Sequence, residues 1–546
     1  MAFRVSKSVV DNTSSEAFAS VRKYASGENV DPDKQFSVDL RSLSEAHLED
    51  LLQAAKVAGE GRSVRALQAI IKARKTDGDV IVPSFGAFQD MVRTYLTKNA
   101  INGWVFVLDH DGNAYPELVT GIARERDTYG RGSSPEYVRI STIAFGHSLD
   151  GRVSSQRALR TRSFQFFPAD VVKKTPAAAL AAVGILKETE DLLRGYDESI
   201  ARFRKVVEPA FGQQFILTGK VHFHESSHYQ RRNNEYHGAK VIHDVEPATI
   251  AASEYFADRL ALEGVGEDTP GRVPEHPVVR VFDLATHDYN WVHEACLTPY
   301  RYKPELREKL ILPDNHRDLL DILTSDISVM VDDFIEGKSA GNIILCKGVP
   351  GVGKTLSAEI YAEIIGSPLY SVHSGALGTE AKDIAKNLEK VFQQANRWGC
   401  VLLIDEADVF VCRRQNDIQH NAVVAEFLRK LEYFSGLMFM TTNRPDDIDE
   451  AIVSRCAAII SYSPPTGNLA GKVWSVLGKQ FATELSPQLI VDLVEQFPSL
   501  SPRDIKMLIR LSMRYAKSKA VPLDLDVFRK CAMFRGIEMK DTPNAA

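Results

Sequence analysis

A chain of 546 residues, 44% apolar and 25% charged, is too long for one ordinary core and sits in the globular range, which argues against disordered and fibrous classes. A formal net charge of −6 argues against a chain that is basic throughout, as many non-specific DNA binders are. Six scattered cysteines with no CxxC argue against a disulfide framework or a cysteine-rich zinc site and fit a reducing, cytoplasmic compartment.

The opening MAFRVSKSVVDNTSSEAF lacks the unbroken apolar run of a secretory signal, and Asp11 and Glu16 interrupt a transit-peptide pattern, so residues 1–36 are expected to be a mobile tail. Residues 37–170 read as an N-terminal α+β domain. Two helical patterns open on Ser44 and Ser63, Asp-Gly between apolar runs after Asn102 marks a hairpin, and Glu136 to Phe145 alternates like a strand. Residues 171–305 read as a helix followed by a β-rich recognition region. Thr175 and Pro176 make an N-cap and first helical position for one long helix, or two joined near Gly195, and two strands flank the turn residues His287 to Asn290. The alanine-rich Pro176 to Leu186 is well short of the roughly 20 apolar residues that span a bilayer, and no membrane partner is expected.

Two signals in this front half have a plain reading and a sharper one. Between Gly121 and Lys174 ten Arg or Lys stand against five acids, with Arg152, Arg157, Arg160 and Arg162 near Phe164, Phe166 and Phe167. A solvated sheet face over core aromatics is favoured, and a single-stranded nucleic-acid site is the alternative. His222, His224, His228, His237 and His243 crowd one stretch; His222 and His224 with Glu225 or His228 could ligate zinc, but a polar hairpin face is favoured.

Residues 306–340 read as a helical linker leading into a buried strand. The run GVPGVGKT then satisfies G-x-x-x-x-G-K-[ST], with an apolar strand before it and a periodic helix after it. Gly348, Val349, Pro350, Gly351, Val352 and Gly353 would form a loop whose backbone N–H groups curl around phosphate oxygens, with Lys354 and Thr355 following and the periodic helix expected over Leu356 to Ile365. Lys354 would reach the β- and γ-phosphates of ATP and Thr355 would hold Mg²⁺. CVLLIDEAD reads as a buried parallel strand that would deliver Asp405 to Mg²⁺, usually through a bound water, and Glu406 to the attacking water. Asn443, at the end of the next apolar run, could position that water. Arg455 suits the charge that spreads over the γ-phosphoryl oxygens and could come from a neighbouring molecule, while Arg503 opens an amphipathic helix where it could sense the γ-phosphate.

In this order the residues resemble an AAA+ ATPase, closest to the classical AAA branch in IDEADVF and TTNRP, with SRC similar to clamp loaders. The resemblance covers about Leu306 to Gly536, and more narrowly the chain is similar to a poorly characterised microbial group with its own N-terminal region. It implies an α/β fold: a P-loop AAA+ core with a parallel sheet at 341–466, a helical C-terminal lid and tail at 467–546, and the α+β region in front. It implies Walker A at Gly348 to Thr355, Walker B at Asp405 and Glu406, sensor 1 at Asn443, an arginine finger at Arg455 and sensor 2 at Arg503. It further implies a homo-oligomeric ring, usually of six, in which ATP hydrolysis remodels or disassembles a macromolecular complex, a protein one by preference. A nucleic-acid-directed ATPase of clamp-loader or helicase-loader type and a nucleotide-gated scaffold or sensor are the alternatives. Two departures stand out: Ala376 and Leu377 replace the aromatic grip of threading members, although Leu377 could still grip, and many classical members lack the sensor 2 arginine.

Overall fold

The structure is a computed structural model that describes residues 2–26, 35–75, 80–109, 112–126, 135–146, 157–221, 223–224, 235–245, 256–257, 271–325, 342–378, 380–414 and 418–540. The chain divides into two units, Met1–Phe211 with Phe215–Pro299, and Gly212–Gln214 with Tyr300–Ala546.

In the first unit the opening residues are not a tail. Strand Ala2–Ser6 pairs antiparallel with Gln35–Asp39, and Phe3 and Val5 lie in a core with the helices Glu45–Val57 and Gly61–Arg74. Alternation of Phe3 and Val5 on one face of a five-residue strand is too short a signal to stand out beside Ser6, Lys7 and Ser8, and burial overrides the polar composition. Ser44 caps the first helix, as its position predicts, while the second begins at Gly61, before Ser63.

Five antiparallel strands follow, in the spatial order Ala158–Phe166, Glu136–Gly146, Ala114–Arg126, Trp104–Leu108 and Ile185–Lys187. Gly112 closes the expected hairpin at φ +83°, where a Cβ would come within 3.0 Å of the Ala66 methyl. Thr175 caps the helix Pro176–Ala182 by accepting from the Ala178 N–H. The expected long helix is then broken earlier than Gly195: Gly184 at φ +81° turns the chain, Ile185–Lys187 takes the sheet edge beside Val105 to Val107, and Thr189 caps a new helix, Glu190–Arg202. A buried edge position for Ile185 and Leu186 outweighs helix continuation, and Gly195 sits inside the second helix at a cost of about 1 kcal/mol.

A second sheet has six strands in the order Leu297–Pro299, Gln214–Lys220, Glu235–His243, Val278–Asp283, Tyr289–His293 and Phe223–His224. It carries the expected pair of strands at 278–293.

The arginines expected on a solvated or nucleic-acid-binding face are committed internally. Arg157 is fully buried, ion-paired with Glu275, bonded to the His276 carbonyl at 2.5 Å and stacked between Phe145 and Phe203. Burial draws its guanidinium below the ordinary value, and Glu275 opposes that. Arg160 and Arg162 lie 3.9 Å and 3.1 Å from the buried Glu117 carboxylate, and Arg162 also covers the Phe164 ring. Their partners are 43 or more residues away in sequence, which is why the local pattern reads as an open patch. Arg152 lies outside the described residues.

Of the histidines, His222, Glu225 and His228 fall outside the described residues. His243 is fully buried, and burial with the nearby Arg157 charge pushes its imidazole down to about 3, so it stays neutral. Among the described residues no group of three His, Cys, Asp or Glu is placed to hold a metal ion, and no helix is long and apolar enough to cross a membrane.

The second unit is an α/β core with a parallel sheet. Its strands are β1 (Asn342–Gly348), β2 (Leu369–His373), β3 (Val401–Asp405), β4 (Leu437–Thr442) and β5 (Ala458–Tyr462), in the order β2-β3-β4-β1-β5. The central strands are buried on both faces, as continuous apolar runs such as IILC and VLLI require. The helices are α1 (Asp314–Ser325), α2 (Lys354–Ile365), α3 (Ala381–Trp398), α4 (Asp408–Val411), α5 (Ile418–Leu431) and α6 (Glu450–Val453). Four more form the lid: α7 (Gly467–Gln480), α8 (Pro487–Gln496), α9 (Pro502–Lys519) and α10 (Leu525–Met533), packed on Trp474, Leu493, Phe497, Leu508 and Phe528. Within the expected linker 306–340 lies α1, and 326–341 are outside the described residues.

Candidate nucleotide site

Parallel strands deliver their carboxyl ends to one edge, and the order β2-β3-β4-β1 brings four loops together there. The loop after β1 has no freedom in its glycines. Gly348 adopts φ +148°, and a Cβ on it would stand 2.1 Å from the Tyr462 carbonyl oxygen of β5. Gly351, at φ +83°, would meet the Arg503 Cβ at 2.8 Å. Gly353 caps α2 at φ +102° with open space beside it. The backbone can therefore turn tightly at the start of α2, where the unsatisfied N–H groups of the first turn favour an anion.

Lys354, at the first position of α2, is 6% exposed, and its ammonium donates to the Gly348 carbonyl at 2.7 Å, the Val349 carbonyl at 2.8 Å and Asn443 Oδ1 at 2.9 Å. Burial lowers its pKa from the ordinary lysine value while Asp408, Cys346 and Asp405 oppose that shift. Thr355 donates its hydroxyl to Asp405 Oδ1 at 2.9 Å, and the Thr441 hydroxyl donates to the same oxygen at 2.6 Å. Val352 is buried in the core, whereas Val349 and Leu356 are exposed at 45% and 46% on the rim.

Glu406 is held in an unusual way. Its backbone is in the left-handed region at φ +52°, a conformation that costs a glutamate about 1–3 kcal/mol and is found at functional sites. Its N–H donates to Thr441 Oγ1 at 2.9 Å, and its half-exposed carboxylate lies 2.9 Å from His373 Nε2 at the end of β2. Asp408, one turn on, accepts from the Thr442 hydroxyl and from the Asn443 N–H at 3.1 Å, which fixes the Asn443 backbone.

The structure thus brings together Gly348 to Thr355, Asp405, Glu406 and Asn443. The lid joins them: the Arg503 N–H donates to the Gly351 carbonyl at 3.2 Å, and Ser501 and Arg503 close over that glycine. Arg455 does not join. Its guanidinium bonds Glu432 at 2.5 Å and the Ala451 carbonyl at 3.0 Å, with none of the loop or strand-end residues. Leu377 does not present itself for gripping: it is 2% exposed, and its carbonyl accepts from Asn387 at 3.0 Å, while Ala376 is exposed. Sequence reasoning missed His373, Thr441 and Asp408. The signal for His373 is strand register, since it pairs with Asp405 across β2 and β3, and register requires the strand order.

Residues 344–464 match the family model described as ATPase family associated with various cellular activities (AAA). This segment is an AAA ATPase domain. The AAA domain is also similar to curated proteins: an uncharacterized AAA family ATPase, y4kL, of Sinorhizobium fredii (strain NBRC 101917 / NGR234), 27% identical over 193 residues, covers 32% of this chain and 58% of the relative. An ATPase family AAA domain-containing protein 3 of Bos taurus is 26% identical over 231 residues, covering 41% of this chain and 37% of the relative. The chain therefore matches well under two thirds of the length of these relatives. Among solved structures, a chain of an E. coli MS115-1 HORMA:CdnC:Trip13 complex is similar at 19% identity and a TM-score of 0.36, over 44% of this chain and 93% of that one, a level that carries no fold argument.

Proposed function

We propose that this chain hydrolyses ATP as one subunit of a cytoplasmic homo-oligomeric ring, usually of six, and uses the energy to remodel or disassemble a protein complex recognised by its N-terminal unit. The observation that carries the reading is the convergence of Lys354, Thr355, Asp405, Glu406 and Asn443 at one sheet edge. The loop N–H groups and Lys354 bind the phosphates, exchanging the Gly348 and Val349 carbonyls for phosphate oxygens. Thr355 and Asp405 are hard oxygen donors that fit Mg²⁺, which would neutralise charge on the β- and γ-phosphates. Glu406 takes the proton of the attacking water and Asn443 orients that water. Arg503 meets the γ-phosphate from the lid, so that hydrolysis changes how the lid sits on the loop.

One feature supports a ring. Among the described residues Arg455 contacts none of the phosphate-loop or strand-end residues, and a guanidinium supplied in trans is a known way to complete a phosphoryl-transfer site. The internal pairing of Arg157, Arg160 and Arg162 removes the support for nucleic-acid recognition by the N-terminal unit and leaves protein recognition as its reading. Light scattering on the Glu406→Gln protein checks assembly: with saturating ATP it is expected to run as a stable multimer and without nucleotide as smaller species. A monomer at saturating ATP would remove the ring from this account.

A further inference from the structure

We infer that the outer face of α9 binds the phosphodiester backbone of single-stranded nucleic acid. Lys506, Arg510, Arg514 and Lys517 recur every three or four residues, which places them within roughly 80° of arc on one face of the helix, beyond Arg503 at the nucleotide site. All four are exposed. The opposite face, Ile505, Leu508, Ile509, Ser512 and Ala516, is buried in the lid, so the ridge is held in one orientation. Its 11 residue steps run ~16.5 Å, the length of about five phosphates at ~3.4 Å rise per strand.

This arrangement works against the helix that bears it. Like charges at i,i+4, as in Lys506 with Arg510 and Arg510 with Arg514, repel, and Arg503 sits at the positive end of the helix dipole. No internal carboxylate relieves this among the described residues. The helix's own Asp504 pairs with Arg535 and with the Ser501 hydroxyl instead. Residues 467–540 hold twelve Lys or Arg against seven Asp or Glu, a net +5 in a chain of net −6, so the remaining residues sum to −11. A cationic surface has been concentrated on the lid of an otherwise acidic chain.

The chemistry of the ridge selects among polyanions. Its Arg and Lys side chains supply positive charge that pairs with phosphate oxygens whatever the sequence, so the contact proposed is with the backbone. The apolar face of α9 is inside the lid and cannot insert into a lipid surface. An evenly repeated row of cations matches a ligand whose charge also repeats evenly, which folded acidic protein surfaces lack, and a flexible single strand can follow a straight convex ridge. The ridge begins at Lys506, three residues after Arg503, whose N–H meets the Gly351 carbonyl, so occupancy would be felt at the nucleotide site.

The test is fluorescence anisotropy of the full chain with a labelled oligothymidylate of about 20 nucleotides. Between about 50 and about 200 mM salt, log affinity should fall against log salt with a slope of roughly −2.8, from four phosphates at ~0.7 each for single strands. The triple variant Lys506→Glu, Arg510→Glu, Arg514→Glu should bind about 100-fold more weakly with a slope near −0.7, while keeping basal ATPase because Lys354 and Arg503 are untouched. If charge reversal unfolds the lid, the Gln versions at the same three positions, good helix formers, should show the same loss of slope. The inference is overturned by salt-independent or absent binding in the parent, by equal binding in a folded variant, by tighter binding of polyglutamate or duplex, or by a variant that fails to assemble without nucleic acid, which would assign the ridge to a second copy.

Discussion

Glu406→Gln is expected to lower kcat for ATP hydrolysis by about 10²–10⁴-fold, the usual contribution of a general base, equivalent to ~3–5 kcal/mol of transition-state stabilisation. ATP affinity should stay near the parent value, because the phosphates are held by the loop and Lys354, not by this carboxylate. Glutamine preserves the size of the side chain and can still meet His373, so the left-handed backbone at φ +52° and its N–H bond to Thr441 are retained while the proton acceptor is lost. A fall in kcat with unchanged nucleotide affinity is the pattern of a group that acts in the transition state alone. Phosphate release measured alongside equilibrium binding of a fluorescent ATP analogue checks it. Turnover at the parent rate would mean that another group activates the water.

Lys354→Ala should act one step earlier, weakening ATP binding by on the order of 10²-fold or more, as loss of a charge-assisted contact to phosphate in a largely desolvated site does. The same substitution leaves the Gly348 and Val349 carbonyls and Asn443 Oδ1 without the donor that now satisfies them, so a modest drop in Tm is expected without loss of fold. Calorimetric titration with ATP, next to thermal unfolding of the apo protein, separates the two effects. Parent-like affinity in a folded Lys354→Ala protein would place the triphosphate elsewhere.

The geometry of the candidate nucleotide site was legible because its backbone demands are written in residue identity. Only glycine fits at Gly348, 2.1 Å from a neighbouring carbonyl as a Cβ would be, and an apolar run ending in Asp405 and Glu406 can hardly be anything but a buried strand. What stayed hidden depends on long-range pairing. His373 reaches Glu406 only because β2 lies beside β3. Arg157 reads as part of a basic surface until Glu275, 118 residues later, folds onto it. The opening strand reads as a polar tail until Gln35–Asp39 supplies its partner. The spacing of the α9 cations is in the sequence, but its weight came from seeing the opposite face buried and the helix's own Asp504 engaged with Arg535.

The central claim is that a site on one subunit is finished by Arg455 of another, and mixing two inactive proteins tests it most directly. Lys354→Ala binds ATP far more weakly but keeps its arginine, and Arg455→Ala binds ATP but lacks the group whose transition-state contribution is about 10³–10⁵-fold when supplied by a finger. In mixed rings, shown to be mixed by differential labelling, ATPase activity should reappear at a level set by the frequency of mixed neighbours. Mixed rings that remain as inactive as either parent, or Arg455→Ala protein that hydrolyses ATP at the parent rate unaided, would contradict a shared site.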